Sequence, residues 1–219
     1  MTAQAAREAA EAAQIIVDNG AVYVRTSGDP FFFTSGWASP VFIDIKRLIA
    51  LPSARTRLIE LALGRMGRSL EPDGVDVVVG CELAGVPFAA IMADRLGLPL
   101  VIVRKQRKGF GRLAQFEGAF QPGQRALIVD DLSTDGITKS TFRAAVEQAE
   151  ARVVETFVFL DYQVFPAGDP VMSLLTLADI IAASEATGRL TGHDLSELKA
   201  FADDAPAWSH RNGGIATRG

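Results

Sequence analysis

Apolar positions along this chain follow two periods, and the switch between them repeats. Over residues 3–19 they recur at helical spacing and Gly20 stops the run, which predicts a helix. Residues 30–45, PFFFTSGWASPVFIDI, read as two short strands around a Ser-Gly-Trp-Ala-Ser-Pro turn. Residues 52–70 form a long amphipathic helix with Pro and Ser at its start. Then strand and helix alternate: VDVVVG (75–80) is a strand, GVPFAAIMADRLG (85–97) a helix and LPLVIV (98–103) a second strand. RALIV (125–129) is a third strand, 137–151 a helix and RVVETFVFLDY (152–162) a fourth strand. Beyond Asp161 the pattern loosens, with helical spacing returning at 177–186 and 193–202.

Strands that are apolar throughout and separated by helices predict an α/β fold, a mostly parallel twisted sheet with helices on both faces. Right-handed crossovers leave few ways to connect it. The 219 residues suit a single domain, with 75–162 as its core and 1–50 and about 163–219 as a peripheral hood. Ligands of such sheets bind beyond the carboxyl ends of the strands. Three unusual segments fall there: Gly80-Cys81-Glu82, a basic stretch from Arg104, and the turn 130–136.

Composition narrows the function classes. An apolar fraction of 48% with positive mean hydropathy excludes a disordered chain. No apolar run approaches the roughly 20 residues that span a bilayer. Residues 1–13 are Ala/Glu-rich without the apolar centre of a signal peptide. The lone Cys81 excludes an internal disulfide, suits a reducing cytoplasm, and reads as a packed residue rather than a nucleophile. His193 and His210 have no ligand partners at metal spacing. A net charge of −4 argues against general nucleic-acid binding. Its distribution says more: Arg104, Lys105, Arg107, Lys108 and Arg112 stand together, and no carboxylate occurs between Asp94 and Glu117. With Gly109 and Gly111 inside it, this run reads as a mobile cationic loop on a rigid sheet.

The stretch IVDDLSTDGITK carries the most chemistry. A turn at a helix start presents unpaired N–H groups and the positive end of the helix dipole to an anion. Ser133, Thr134 and Thr138 add hydroxyls, and Gly136 allows close approach. Asp130 and Asp131 do not suit a phosphate; they suit vicinal sugar hydroxyls and can steady a hydrated Mg2+. A helix cap and turn would use one such Asp. An acidic pair with three hydroxyl residues and a glycine favours a ribose-phosphate site.

This stretch resembles the phosphoribosyl diphosphate (PRPP) fingerprint of type I phosphoribosyltransferases: apolar strand, acidic pair, two residues, Thr, any, Gly, any, Ser/Thr. Two other segments narrow the resemblance to the orotate phosphoribosyltransferase family. FFFTSGWASPVFIDIKRLIALP is similar to that family's Phe-x-x-x-Ser-Gly-x-x-Ser-Pro segment, and GCELAGVPFAAIMADRLGLPLVIVRKQRKGFGRLAQFEG to its diphosphate loop, helix, strand and flexible catalytic loop. The resemblance implies a type I core with a hood and transfer of the phosphoribosyl group to a ring nitrogen of orotate, yielding orotidine 5′-phosphate and diphosphate in pyrimidine synthesis. It implies Mg2+ as cofactor, a cytoplasmic enzyme, and a homodimer whose 104–116 loop reaches the neighbouring active site, with neither nucleic acid nor membrane as partner. It assigns Lys108, Arg104, Lys105 and Asp131 to catalysis, and extends PRPP binding to Asp130, Leu132, Ser133, Thr134, Asp135, Gly136, Ile137 and Thr138. Glu82, Leu83, Ala84 and Gly85 become the diphosphate loop, and Thr134 and Phe42 the orotate contacts. Mg2+ is held mainly through PRPP and water, near Asp130 and Asp131.

The chain departs from that family at four positions. Phe110 replaces the loop histidine, Thr34 a lysine before the Ser-Gly turn, and Asp135 a Thr or Ala. Tyr162 replaces an arginine that pairs with the orotate carboxylate, leaving that role to backbone amides, Arg47 or the C-terminal region. A different acceptor base and a non-catalytic PRPP-binding regulator stay open, but a sensor has no need of leaving-group cations such as Arg104, Lys105 and Lys108. No G-x-G-x-x-G follows the first strand, which argues against a dinucleotide enzyme.

Overall fold

A computed structural model of the chain describes residues 2–70, 74–107, 109, 114–166 and 168–217. Lys108, Phe110, Gly111 and Arg112 of the basic stretch lie outside the described residues.

Helix α1 (Ala3–Asp18) starts at Thr2, whose hydroxyl accepts the Ala5 N–H at 3.2 Å, and buries Ala5, Ala9, Ala12, Ala13, Ile16 and Val17 along one stripe. Strands β1 (Val22–Val24), β2 (Phe31–Phe32), β3 (Ala38–Ser39) and β4 (Val41–Ile43) make two small antiparallel ladders, β1 with β4 and β2 with β3. A 3-10 turn (Ile45–Ala50) leads into α2 (Pro52–Ser69), with proline where its missing N–H costs nothing.

The central sheet follows. Its elements are β5 (Val77–Cys81), α3 (Gly85–Leu96), β6 (Leu100–Val103), β7 (Phe116–Glu117), β8 (Arg125–Ser133), α4 (Ile137–Gln148), β9 (Arg152–Asp161) and β10 (Met172–Thr176). Helices α5 (Leu177–Ala186), α6 (Gly192–Asp203) and α7 (Ala205–Arg211) complete the chain. Strand order is β10-β9-β8-β5-β6-β7, parallel except for β7 against β6. The chain steps outward from β5 to β6 on one side, and from β8 through β9 to β10 on the other. Connections leaving β5 and β8 therefore diverge, opening a crevice at their carboxyl ends.

Alternation along the strands divides the core. Val78, Leu127, Val129, Phe157 and Phe159 face α1, α2, α3 and α5, whereas Val77, Val79, Ala126 and Ile128 face Phe142, Ala145 and Val146 of α4. Helices thus cover both faces, as the continuous apolar strands require.

Three elements differ from the sequence reading. Strand β8 does not end at Val129: it runs through both aspartates to Ser133, pairing Asp130 with Val158 and Ser133 with Asp161. Apolarity drops there because the strand enters the cleft, not because the ladder stops. Strand β10 arises in a stretch taken as irregular, since MSLLT abuts α5 and only its pairing with β9 separates it from a helix start. The two-residue β7 is likewise defined solely by its partner β6.

The two ends of the chain meet over the sheet's carboxyl edge. Ser209 Oγ accepts the Ala38 N–H at 3.0 Å, Gly36 O accepts the Ile215 N–H at 3.1 Å, and Trp37 stacks on Phe165 with centroids 4.7 Å apart. Among the described residues no helix is long and apolar enough to cross a membrane.

Candidate active site

A cleft of about 1460 Å³ opens at the carboxyl ends of β5 and β8. It gathers most of the residues that the sequence singled out: Glu82 to Ala84, Lys105, the run Asp130 to Thr138, Thr34, Phe42 and Tyr162. Others stand elsewhere. The Arg104 guanidinium is paired with Glu117 on β7 and does not line the cleft. Arg47 donates to Asn19 O at 3.0 Å, also away from it. Gly85 is buried at the end of the loop, where α3 begins. A Cβ there would meet Val129 O at 2.5 Å and Asp130 Cα at 2.8 Å, so its bareness lets α3 start against β8.

Strand periodicity cannot seat two adjacent carboxylates on one face, yet Asp130 and Asp131 are both buried at the cleft floor. Lys139, which sequence reasoning missed, makes this tolerable. It is buried in the first turn of α4, and its Nζ lies 2.5 Å from Asp130 Oδ2. Burial alone would lower the lysine's pKa, but the charge and hydrogen bond of Asp130 outweigh it, and the net shift is upward. Asp131 receives less help. Burial first, then the charge of Asp130, pushes its pKa up to about 7. The only signal in the sequence was a lysine nine residues after an aspartate, at a spacing that no local rule marks.

A pH dependence follows. The Asp131 value in the fold lies above the ordinary 3.8, so folding favours its protonated form. That contribution to stability is complete below the ordinary value and is lost as pH rises through about 7. The ligand-free protein should therefore melt at lower temperature at pH 8 than at pH 5.5. Asp131→Asn should flatten this slope, and a slope unchanged in that variant would refute the assignment. Asp161 shifts upward too, mainly through burial, so some slope of the same sign should persist in that variant.

Past the pair, the chain turns at Gly136, whose φ of +75° favours glycine, and enters α4. Ile137 and Thr138, the first helical residues, line the cleft, setting the positive end of the helix dipole beside it. Asp135 gains a physical role here. Its Oδ2 accepts the Trp37 indole N–H at 3.1 Å and its Oδ1 the Ile137 N–H at 3.3 Å. The side chain thus ties the turn to the N-terminal hairpin. On the opposite lip, Glu82 Oε2 accepts the Lys105 backbone N–H at 2.8 Å, anchoring the root of the basic stretch to the 82–84 loop.

One wall is aromatic. Phe42 is half-buried on β4, with Phe31 at 5.8 Å and Tyr23 at 6.3 Å between ring centroids. Tyr162 lies at the base, buried edge-on to Phe33 at 5.6 Å, and burial raises its phenol pKa. Cys81 is buried in β5 and its thiol is pushed up, first by burial, so it packs rather than attacks. His193 and His210 are exposed.

No group of three or more His, Cys, Asp or Glu among the described residues could cage a metal. Two carboxylates at the floor instead suit Mg2+, which commonly takes one or two carboxylates together with water and substrate phosphates.

Comparison with known proteins agrees with this geometry. The model of the phosphoribosyl transferase domain family matches residues 54–164. The chain is 37% identical over 195 residues to an orotate phosphoribosyltransferase of Rhizobium etli, covering 86% of this chain and 85% of that protein. Among solved structures it is similar to orotate phosphoribosyltransferase from Aeropyrum pernix (TM-score 0.67, 29% identity, 82% of this chain and 99% of that one). It also shares its fold with UMP synthase of Leishmania donovani (TM-score 0.75, 23% identity, 89% of this chain), of which it spans 42%.

Proposed function

The chain belongs to the orotate phosphoribosyltransferase family, and from that premise we propose how its cleft moves the 5-phosphoribosyl group of PRPP onto orotate. The reaction yields orotidine 5′-phosphate and diphosphate, a step of pyrimidine biosynthesis. The observation that carries the reading is one cleft in which an acidic pair on β8, a helix start and the 82–84 loop converge.

Each part suits one portion of the donor. Asp130 and Asp131 accept the ribose hydroxyls, and the backbone of the turn from Leu132 to Thr138, with the hydroxyls of Ser133, Thr134 and Thr138, holds the 5′-phosphate. Because its side chain is engaged with Trp37, Asp135 contributes through its backbone. The loop from Glu82 to Gly85 lies along the diphosphate, and Lys105 and Lys108 meet its charge, which Arg104 would join only on leaving Glu117. Orotate stacks on Phe42, within reach of Thr134. Mg2+ would enter with PRPP near Asp130 and Asp131 and supply charge neutralisation for the diphosphate.

Departure of the diphosphate from the anomeric carbon builds positive charge on the sugar and negative charge on the leaving group. Fixed cations stabilise the second, and removing one such contact typically costs about 3 kcal/mol. The carboxylates of the pair face the first. Closure of the 104–116 segment excludes water that would hydrolyse PRPP. We place the enzyme in the cytoplasm as a homodimer whose 104–116 segment serves the neighbouring cleft, with residues 1–50 and 163–219 as a hood over the 75–162 core.

The test is a spectrophotometric assay with PRPP, Mg2+ and a panel of orotate, uracil and adenine. Orotate should be consumed in preference to the others; folded protein that leaves it untouched would overturn the reading. Lys108→Ala should lose about 100-fold in turnover with little change in PRPP affinity, as expected for a contact to the leaving group. A loss confined to PRPP affinity would point instead to a regulator.

A further inference from the structure

We infer that Arg25 and Lys46 together read the carboxylate of the acceptor base, a role that rests on the reading of the cleft as an orotate site. Orotate is a planar ring with a carboxylate, so its site needs a flat apolar surface and a fixed cation at its edge. Among the described residues the base of the cleft provides no uncommitted cation of this kind. Tyr162, at the carboxyl end of β9, is neutral and buried, and it packs against Phe33. The cations that line the cleft among the described residues are Arg25, Lys46, Lys105 and Lys139. Lys139 is committed to Asp130, and Lys105 stands at the root of the basic stretch beside Glu82.

Arg25 and Lys46 remain, and both sit on the aromatic wall. The β1–β4 ladder brings them there from opposite ends. Arg25 follows β1, fixed by its N–H donating to Pro40 O at 2.8 Å, and Lys46 follows β4 on the 3-10 turn. The Arg25 guanidinium carbon lies 4.3 Å above the Phe31 ring, and Lys46 Nζ is 5.6 Å from the centre of Phe42. Phe31 and Phe42 are themselves 5.8 Å apart, so each cation stands over one of two adjoining rings of the same aromatic surface.

Neither charge is used up. Among the described residues Arg25 makes no ion pair, and Lys46 has only Asp44, at 3.8 Å with the lysine half exposed. Cation–π contact orients the head groups without neutralising them. A ring laid on Phe42 would present its carboxylate to the planar donor fork of Arg25, with Lys46 supplying the second charge. A base without the carboxylate would gain only the stacking. The pair would therefore set the choice of acceptor, not the handling of PRPP.

The test compares wild type, Arg25→Ala, Lys46→Ala and the double variant by steady-state kinetics, with thermal melting to establish folding. Wild-type turnover of orotate is read first; its absence overturns the proposed function and this assignment with it. Given that turnover, the KM for orotate should rise about 10-fold in each single variant and about 100-fold in the double, with the KM for PRPP within about 2-fold of wild type. The preference for orotate over uracil should shrink in step. If the double variant melts early, Arg25→Gln with Lys46→Gln replaces it. An orotate KM unchanged in the folded double variant overturns the inference alone. Equal losses for orotate and PRPP overturn it as well, because they would assign the two cations to the donor.

Discussion

Replacing Lys139 with methionine is expected to lower kcat/KM for PRPP by about 100-fold or more and to destabilise the protein, although Lys139 is buried beneath the substrate cleft. Its ammonium is the nearest charge to Asp130, at 2.5 Å, and Asp131 is the next residue of the same strand. Without it, two buried carboxylates face each other with no cation. Removing one partner of a buried ion pair ordinarily costs about 3–5 kcal/mol, because the other charge is left desolvated and alone. The pair escapes part of that penalty by taking up a proton. Asp131, already pushed up to about 7, is then held protonated further into the neutral range. A protonated carboxyl is a poorer acceptor for the ribose hydroxyls, so PRPP binding weakens along with stability. For a chain of this length each kcal/mol shifts Tm by roughly 2–4 °C, so a cost of about 3–5 kcal/mol corresponds to a fall of about 6–20 °C at pH 8, and less at pH 5.5. Lys139→Arg should restore part of the affinity by keeping the charge. Isothermal titration of PRPP with Mg2+ at the two pH values checks this; affinity within about 3-fold of wild type in the methionine variant would show that Asp130 needs no cation.

Gly85→Ala should be nearly as damaging, for a steric reason. All three atoms nearest the added methyl lie under 3.0 Å: Val129 O at 2.5 Å, Asp130 Cα at 2.8 Å and Asp130 Oδ1 at 2.9 Å. Two of them are backbone of a central strand paired on both sides, so they have little room to give. Either α3 lifts away from β8 or the acidic pair moves. Overpacking of this kind costs about 1–3 kcal/mol, and a displacement of about 1 Å at reacting groups can cost about 100-fold in rate. Gly67→Ala is the control. That glycine lies in α2 with open space where the methyl would go, so it should stabilise by up to about 1 kcal/mol with unchanged kinetics. Equal behaviour of the two variants would refute the packing argument.

Much of the cleft was legible beforehand because its parts are local. An acidic pair at a strand end, a hydroxyl-rich turn with glycine, and a following helix occupy a dozen consecutive residues, and each obeys short-range rules. The strand-helix alternation implied a parallel sheet, and parallel sheets put their ligands at the carboxyl ends of strands. The segments around 82, 105 and 130 could thus be expected to meet without knowledge of any long-range contact. Asp135 shows where that reasoning stops. Its spacing suggested only an unusual turn residue, whereas its partner, Trp37, lies 98 positions away in the chain.

The amino-acid sequence by itself determined the α/β class, the positions of the main helices and strands, the acidic pair and hydroxyl-rich turn from Asp130 to Thr138 that line the cleft and, through its resemblance, the family. Periodicity, turn chemistry and helix dipoles act over a few residues and can be read in one dimension. Tertiary structure alone decided that Lys139 lies under the acidic pair, that Gly85 is needed for the approach of α3 to β8, and that Arg104 faces Glu117. It also decided that Tyr162 is buried while Arg25 and Lys46 hold the aromatic wall. These are matters of burial and of charges meeting across the sheet edge, set by which distant segments the fold brings within a few ångströms.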